Sequence, residues 1–164
     1  MRLGVDFDRV LFNTDEFNRH LENETGLHHV DEDVYDEDGC YSPEKHAEAC
    51  GIDVEDVYAT MRNLNQFLYS DVDKLKELKP EHELVIVTRG EEKIQKKKVK
   101  NSGAERLFDE VFVVQGASKD IVDIDFLIDD RKEEIKSTSI PGMVFDRDEH
   151  GAEDIVEQVR ELET

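Results

Sequence analysis

The sequence predicts an α/β domain: a mainly parallel sheet with helices on both faces and a small helical cap inserted after the first strand. Three observations lead there. Short apolar runs alternate with helical patterns along the chain. Carboxylates, a threonine and a lysine gather just beyond those runs, where open parallel sheets bind their ligands. Asp8 and Thr88, which follow the first two runs, lie 80 residues apart, whereas a strand–helix–strand crossover takes about 30. The excess must form something of its own.

Leu3 to Phe7 is the first apolar run and reads as a buried strand. Asn13 or Thr14 can cap a helix from Asp15 to Glu24, with Phe17 and Leu21 one turn apart and Gly26 at its end. Val30 to Gly39 is almost wholly polar, with Asp31, Glu32, Asp33, Asp36, Glu37 and Asp38, and reads as a solvated loop. Ser42-Pro43 starts a helix that ends at Gly51. Asp53 starts another, whose stripe Val54, Val57, Tyr58, Met61, Leu64 and Leu68 has ordinary core spacing. Asp71 begins a further helix with Val72, Leu75 and Leu78 inward, and Pro80 breaks it. Leu84 to Val87 is the second strand, followed by a helix from Glu91 to Asn101 that closes at Gly103. Val111–Val114, Phe126–Ile128 and Gly142–Phe145 are the remaining strands. A last helix runs from Gly151 to Leu162, with Ile155, Val159 and Leu162 on its apolar side. The chain thus divides into an α/β core, residues 1–13 and 73–164, and a helical cap, residues 14–72.

At 164 residues with 37% hydrophobic content, there is enough for one core carrying an insertion. No apolar run approaches a membrane span and no signal-peptide pattern opens the chain, so a cytoplasmic protein is expected. Two cysteines, Cys40 and Cys50, do not make a disulfide framework. The charge balance is extreme, 42 acidic against 21 basic residues for a net −21. Such self-repulsion is relieved by salt, and acid-rich, lysine-poor surfaces are typical of proteins from salt-loving organisms. A nucleic-acid polymer needs a basic footprint that this chain lacks. Any bound anion must be drawn by a local cluster.

Asp6 and Asp8 close the first strand, and side chains two apart on an extended chain face the same way. Two like charges held together call for a reason. One is a bound Mg²⁺, a hard cation that takes carboxylate oxygens. Another is a nucleophilic carboxylate beside a carboxylic acid. Thr88 follows the second strand, Lys119 the third, and Asp129 with Asp130 the fourth.

Asp6-Phe7-Asp8-Arg9-Val10 resembles the Asp-x-Asp-x-(Thr/Val) motif of the haloacid dehalogenase superfamily, and Thr88, Lys119 and the Asp129-Asp130 pair follow in the superfamily's motif order. The resemblance spans the strands of the whole chain and implies a Rossmann-like sheet. Asp125-Phe126-Leu127-Ile128-Asp129-Asp130-Arg131 is similar to a stretch of the 5′(3′)-deoxyribonucleotidases. The resemblance implies a Mg²⁺-dependent phosphomonoesterase for a small soluble substrate, tilted toward nucleoside monophosphates. Asp6 would attack phosphorus and form an aspartyl-phosphate. Asp8 would protonate the leaving alcohol and then deprotonate water. Thr88 would hold a phosphoryl oxygen, and Lys119 would balance charge. The metal would lie among Asp6, the Asp8 backbone carbonyl and Asp129 as first choice, with Asp130 second. Arg9 stands where the family often has glycine. Its plainer role is a surface salt bridge, and the other is contact with substrate phosphate or the cap. Arg89, beside Thr88, is the better substrate candidate.

Other residues carry weaker readings. His28, His29, Cys40, His46 and Cys50 could gather Zn²⁺, but their spacing matches no standard motif. Lys93, Lys96, Lys97, Lys98 and Lys100 read as a solvated helix face. Arg19, His20, Arg62, Asn63 and Asn65 are candidates for contacting the leaving group from the cap. Against the phosphatase stand a phospho-accepting receiver-like domain, a non-catalytic regulatory scaffold, and a phosphotransferase or dehalogenase of the same superfamily. The receiver's acidic pair comes early in its chain, whereas Asp129-Asp130 comes late.

Overall fold

The computed structural model describes residues 1–26 and 34–164. His28, His29, Asp31, Glu32 and Asp33 therefore lie outside the described residues, and so do the first four positions, 30–33, of the polar loop expected there.

The chain runs β1 (Arg2–Val5), α1 (Thr14–Thr25), α2 (Pro43–Cys50), α3 (Val54–Ala59), β2 (Glu83–Arg89), α4 (Glu92–Ser102), β3 (Glu110–Val114), β4 (Phe126–Asp129), α5 (Lys132–Lys136), β5 (Gly142–Val144) and α6 (Ala152–Leu162). Five strands pair in the order β3-β2-β1-β4-β5, all parallel, with Val5 opposite both Ile86 and Ile128. From β1 the chain builds the sheet outward to β2 and β3, then returns to β1's other side for β4 and β5. The reversal leaves a crevice at the carboxyl ends of β1 and β4, where such sheets bind ligands.

The sheet is apolar on both faces because parallel strands are covered on both. Along β2, Leu84 and Ile86 join the large cluster under α1, α4 and α6, while Val85 and Val87 join a smaller one with Val114, Val122, Ile124 and Leu127 that Ile135 of α5 packs on. The large cluster runs on without a break into Phe17, Leu21, Ala47, Val57, Met61, Leu64 and Phe67 of the inserted segment. Gly142 is fixed by close packing: a Cβ there would lie 2.5 Å from the Leu127 carbonyl oxygen.

Two expected helices take a different form. The stripe from Val54 to Leu68 is α-helical only to Ala59. Thr60 turns its hydroxyl back to the Val57 carbonyl at 2.6 Å, Leu64 N–H goes to the Asn101 carbonyl, and Asn65–Phe67 is a separate 3₁₀ turn. Bonds to α4 replace the helical ladder there. Val72–Leu78 is 3₁₀ rather than α. Its inward residues Val72, Leu75 and Leu78 recur every third position, which is the repeat of a 3₁₀ helix. Asp71 does not cap it. Both its oxygens accept from Arg147 Nη1 at 2.9 and 2.8 Å, and one also from Ala152 N–H. The same Arg147 donates through Nε and Nη2 to the Val10 carbonyl at 2.9 and 2.6 Å, pinning the turn after β1.

Cys40 and Cys50 are free thiols. Among the described residues no helix is long and apolar enough to cross a membrane. With a net charge of −21, repulsion between exposed carboxylates opposes the folded state, and salt shortens its reach. The melting temperature should therefore rise between dilute buffer and molar KCl. A flat profile would remove the halophilic reading.

Candidate active site

Asp6 N–H donates to the Ile128 carbonyl at 2.8 Å, carrying the β1–β4 ladder one residue past β1 and setting the Asp6 side chain at the crevice. The chain then turns sharply. The Phe7 carbonyl accepts from the N–H groups of Val10, Leu11 and Phe12. Arg9 takes φ +64°, the left-handed region that a glycine enters more readily. Asn13 caps α1 through its side chain.

The first of two charge clusters centres on Lys119, which is 1% exposed. Its Nζ donates to Asp6 Oδ1 at 3.1 Å and to Asp129 Oδ2 at 2.5 Å. The other oxygen of Asp129 accepts from Arg131 N–H at 2.9 Å, so both its oxygens are engaged. Asp130 is half-buried, with a carboxylate oxygen within 4.8 Å of one of Asp6. Burial pushes the Asp6 carboxyl well above the usual carboxylate range; Lys119 pulls it down, while Asp129, Asp8 and Asp130 push it further up. Oxygens of Asp6, Asp129 and Asp130 lie within 4.8 Å of one another. An all-oxygen donor set with more negative charge than Lys119 balances fits a hard divalent cation.

The second cluster centres on Lys98, which the sequence places on a solvated face and the structure buries. Its Nζ donates to Asp8 Oδ1 at 2.6 Å and to Gln95 Oε1 at 3.3 Å, and it stands over the rings of Phe7, Phe12 and Phe17. Gln95 Nε2 bridges Asp8 Oδ2 and Thr88 Oγ1, each at 2.7 Å. Thr14 Oγ1 donates to Asp8 Oδ1 at 2.9 Å. Burial opposes charge on Asp8, but Lys98, Gln95 and Thr14 outweigh it and hold the carboxyl below its usual range. The rest of the lysine run is as expected: Lys96 pairs with Glu92, and Lys93 and Lys97 stand over the Tyr58 ring. A sequence signal for Lys98 existed. Ile94, Gln95, Lys98, Val99 and Ser102 share the inward face of α4, and spacing alone puts Lys98 there. Gly90 makes room for this arrangement, since a Cβ would lie 2.6 Å from Gln95 Cγ.

No family model matches the chain, and no curated protein matches it. Solved structures do. A haloacid dehalogenase-family enzyme from Bacteroides thetaiotaomicron, an aspartate-to-alanine mutant in complex with magnesium and inorganic phosphate, has a TM-score of 0.63 at 16% identity, over 93% of this chain and 97% of that one. A haloacid dehalogenase-like hydrolase from Streptococcus pneumoniae gives 0.59 at 15%, over 96% and 97%. The L-2-haloacid dehalogenase of Xanthobacter autotrophicus with chloropropionic acid covalently bound gives 0.57 at 12%, over 85% and 75%. At such identities the likeness is one of fold. The chain has the haloacid dehalogenase-like hydrolase fold.

On this haloacid dehalogenase-like frame the two clusters share one cavity of about 390 Å³. Asp6, Asp8, Lys119, Asp129 and Asp130 line its polar end, and Phe17, Leu21, Met61 and Ile94 supply an apolar wall. Thr88, expected to hold a phosphoryl oxygen, is fully buried and lies behind Gln95 rather than on the cavity wall. Arg89 does reach the wall, but its Nε and Nη2 are spent on Glu134 at 2.7 and 3.0 Å and its Nη2 on the Ala117 carbonyl at 2.7 Å. These bonds clamp β2 to α5. Arg9 pairs with Asp15 at 3.1 Å, with both side chains half exposed or more. Arg19, His20, Arg62, Asn63 and Asn65 do not line the cavity. Asn18, Tyr35, Tyr41 and His46 do. Among the described residues Cys40, His46 and Cys50 do not converge as a metal site, and His46 Nδ1 instead meets the Tyr41 hydroxyl at 2.8 Å.

Proposed function

We propose that this protein is a Mg²⁺-dependent phosphomonoesterase that works through an aspartyl-phosphate on Asp6. One observation carries the reading: each carboxylate at the end of β1 is clamped by its own buried lysine, Lys119 on Asp6 and Lys98 on Asp8. A solvated strand end needs neither.

Asp6, the Asp8 backbone carbonyl and Asp130 would hold the ion. Asp130 is the better ligand than Asp129, whose oxygens are already taken by Lys119 and Arg131. The bound ion would neutralise the phosphate dianion and keep Asp6 ionised. Asp6 attacks phosphorus as the bond to the leaving oxygen breaks, Asp8 in its acid form gives that oxygen its proton, and Lys119 balances the charge that gathers on the phosphoryl group. Water then attacks the aspartyl-phosphate, giving up its proton to Asp8 and releasing inorganic phosphate with Asp6 restored.

The cavity size and its apolar wall favour a small ester over a phosphoprotein or polynucleotide. The stretch Asp125–Arg131 makes (deoxy)nucleoside monophosphates the first class to try. The test is phosphate release from nucleotides, sugar phosphates and organic phosphates in molar KCl, with Mg²⁺ and with EDTA. Release that EDTA abolishes is expected. Chloride release from 2-chloropropionate without phosphatase activity would replace the reading with a dehalogenase.

A further inference from the structure

We infer that Lys98, together with Gln95, is a positioning residue that fixes the Asp8 carboxylate so that a single oxygen atom, Oδ2, takes the proton from the hydrolytic water. The inference rests on the phosphatase reading of Asp6 and Asp8.

It follows from counting lone pairs. A carboxylate oxygen has about two acceptor sites. Asp8 Oδ1 uses both, for Lys98 Nζ at 2.6 Å and Thr14 Oγ1 at 2.9 Å. Among the described residues Oδ2 accepts only from Gln95 Nε2, at 2.7 Å, and keeps one site. Asp8 lines the cavity while Thr88, on the far side of Gln95, does not. The carboxylate is held at three points from α1 and α4, so it cannot rotate to exchange its oxygens without breaking all three bonds.

Lys98 is itself held by Gln95 and by the ring faces of Phe7, Phe12 and Phe17. Its side chain is 9% exposed and borders the cavity, but its Nζ is directed to Asp8 and Gln95. It acts through Asp8. A buried lysine in an aromatic cage is costly unless its charge is used, and Asp8 is the anion it meets. Thr88 enters the same network, its hydroxyl oxygen accepting from Gln95.

The role belongs to the second half of the reaction. An aryl phosphate has a leaving group that departs without help from an acid, so it loads Asp6 even when Asp8 is misplaced. Lys98→Met should therefore let the aspartyl-phosphate accumulate. With p-nitrophenyl phosphate we expect a burst of p-nitrophenol approaching one equivalent, then turnover reduced about 100-fold, the scale of general-base catalysis. Intact mass after quenching should show one added phosphoryl group, absent from the wild type. KM for the aryl ester should drop with kcat, whereas an alkyl phosphate, whose leaving group needs Asp8 as acid, should lose at least as much kcat and show no burst. Lys98→Met combined with Asp8→Asn should be no slower than Asp8→Asn alone, because both act at one step. If Lys98→Met does not fold, Gln95→Met removes the Oδ2 donor and is judged by the same burst. Turnover within twofold of wild type, or burst and turnover falling together as in a merely unstable protein, would overturn the inference. A wild type that neither releases phosphate nor becomes phosphorylated would sink the phosphatase reading first, and this inference with it.

Discussion

Asp6→Asn should lower phosphate release by at least about 1,000-fold and yet leave the metal-free protein no less stable than the wild type. The two outcomes have one cause. Asp6 is buried beside Asp8, Asp129 and Asp130 with Lys119 as its cation. As a nucleophile it must be ionised. As a structural element it is a liability, because burial and its acidic neighbours raise its carboxyl well above the usual range. A carboxyl whose folded value is raised binds its proton more tightly in the folded state. Its contribution to stability is present in acid and is lost as pH rises from the unfolded value, about 3.9. Asparagine carries no charge and escapes that loss. Thermal melts in EDTA across pH 4 to 8 should show the variant gaining on the wild type as pH rises. Added Mg²⁺ should raise the wild-type midpoint and move the variant less, since binding to the folded state alone stabilises it. Wild-type turnover by Asp6→Asn would show that the nucleophile is elsewhere.

The architecture was legible because the sheet is parallel and buried on both faces. The middle strands carry buried apolar runs, Asp6, Asp8, Thr88, Asp129 and Asp130 stand at their ends, and Lys119 lies a few residues beyond β3. The long gap between Asp8 and Thr88 is what led to the expectation of an inserted cap. Its internal form was harder to read, since Thr60 turns back locally on Val57 and Asn101 takes the Met61 carbonyl through a tertiary bond that spacing does not show. Lys119 was found from its place after the third strand. Lys98 was missed because composition outweighed periodicity: five lysines within eight residues look solvated, yet one falls on the face that carries Ile94 and Val99. For Arg89 the neighbouring threonine made it look like a phosphate clamp, and its pairing with Glu134 of α5, a short helix that the apolar pattern does not show, was not legible.

Lys119→Met should be the more damaging change to the fold. Asp6→Asn removes a charge from a crowded site, whereas Lys119→Met removes the cation that two buried carboxylates share. Asp129 is fully buried and would keep only the Arg131 N–H as a donor. Breaking such a pair by deleting one partner costs about 3–5 kcal/mol, roughly 10 °C or more in melting temperature for a chain of this size. Turnover should be lost as well, because nothing would then balance the phosphoryl charge from that side. The pH profile carries a second signature. Burial lowers the Lys119 ammonium, but Asp6 and Asp129 overcome this and raise it above its ordinary value. Its stabilisation is complete below the unfolded lysine value, about 10.4, and is lost as pH climbs through the higher folded one. The wild type should therefore lose stability steeply at strongly alkaline pH, and Lys119→Met should lack that component. Pairing the change with Asp129→Asn should recover part of the loss, since the carboxylate left without its lysine is then gone. A Lys119→Met protein that melts with the wild type in metal-free buffer would mean that Lys119, Asp6 and Asp129 are not the coupled buried set on which the active-site assignment stands.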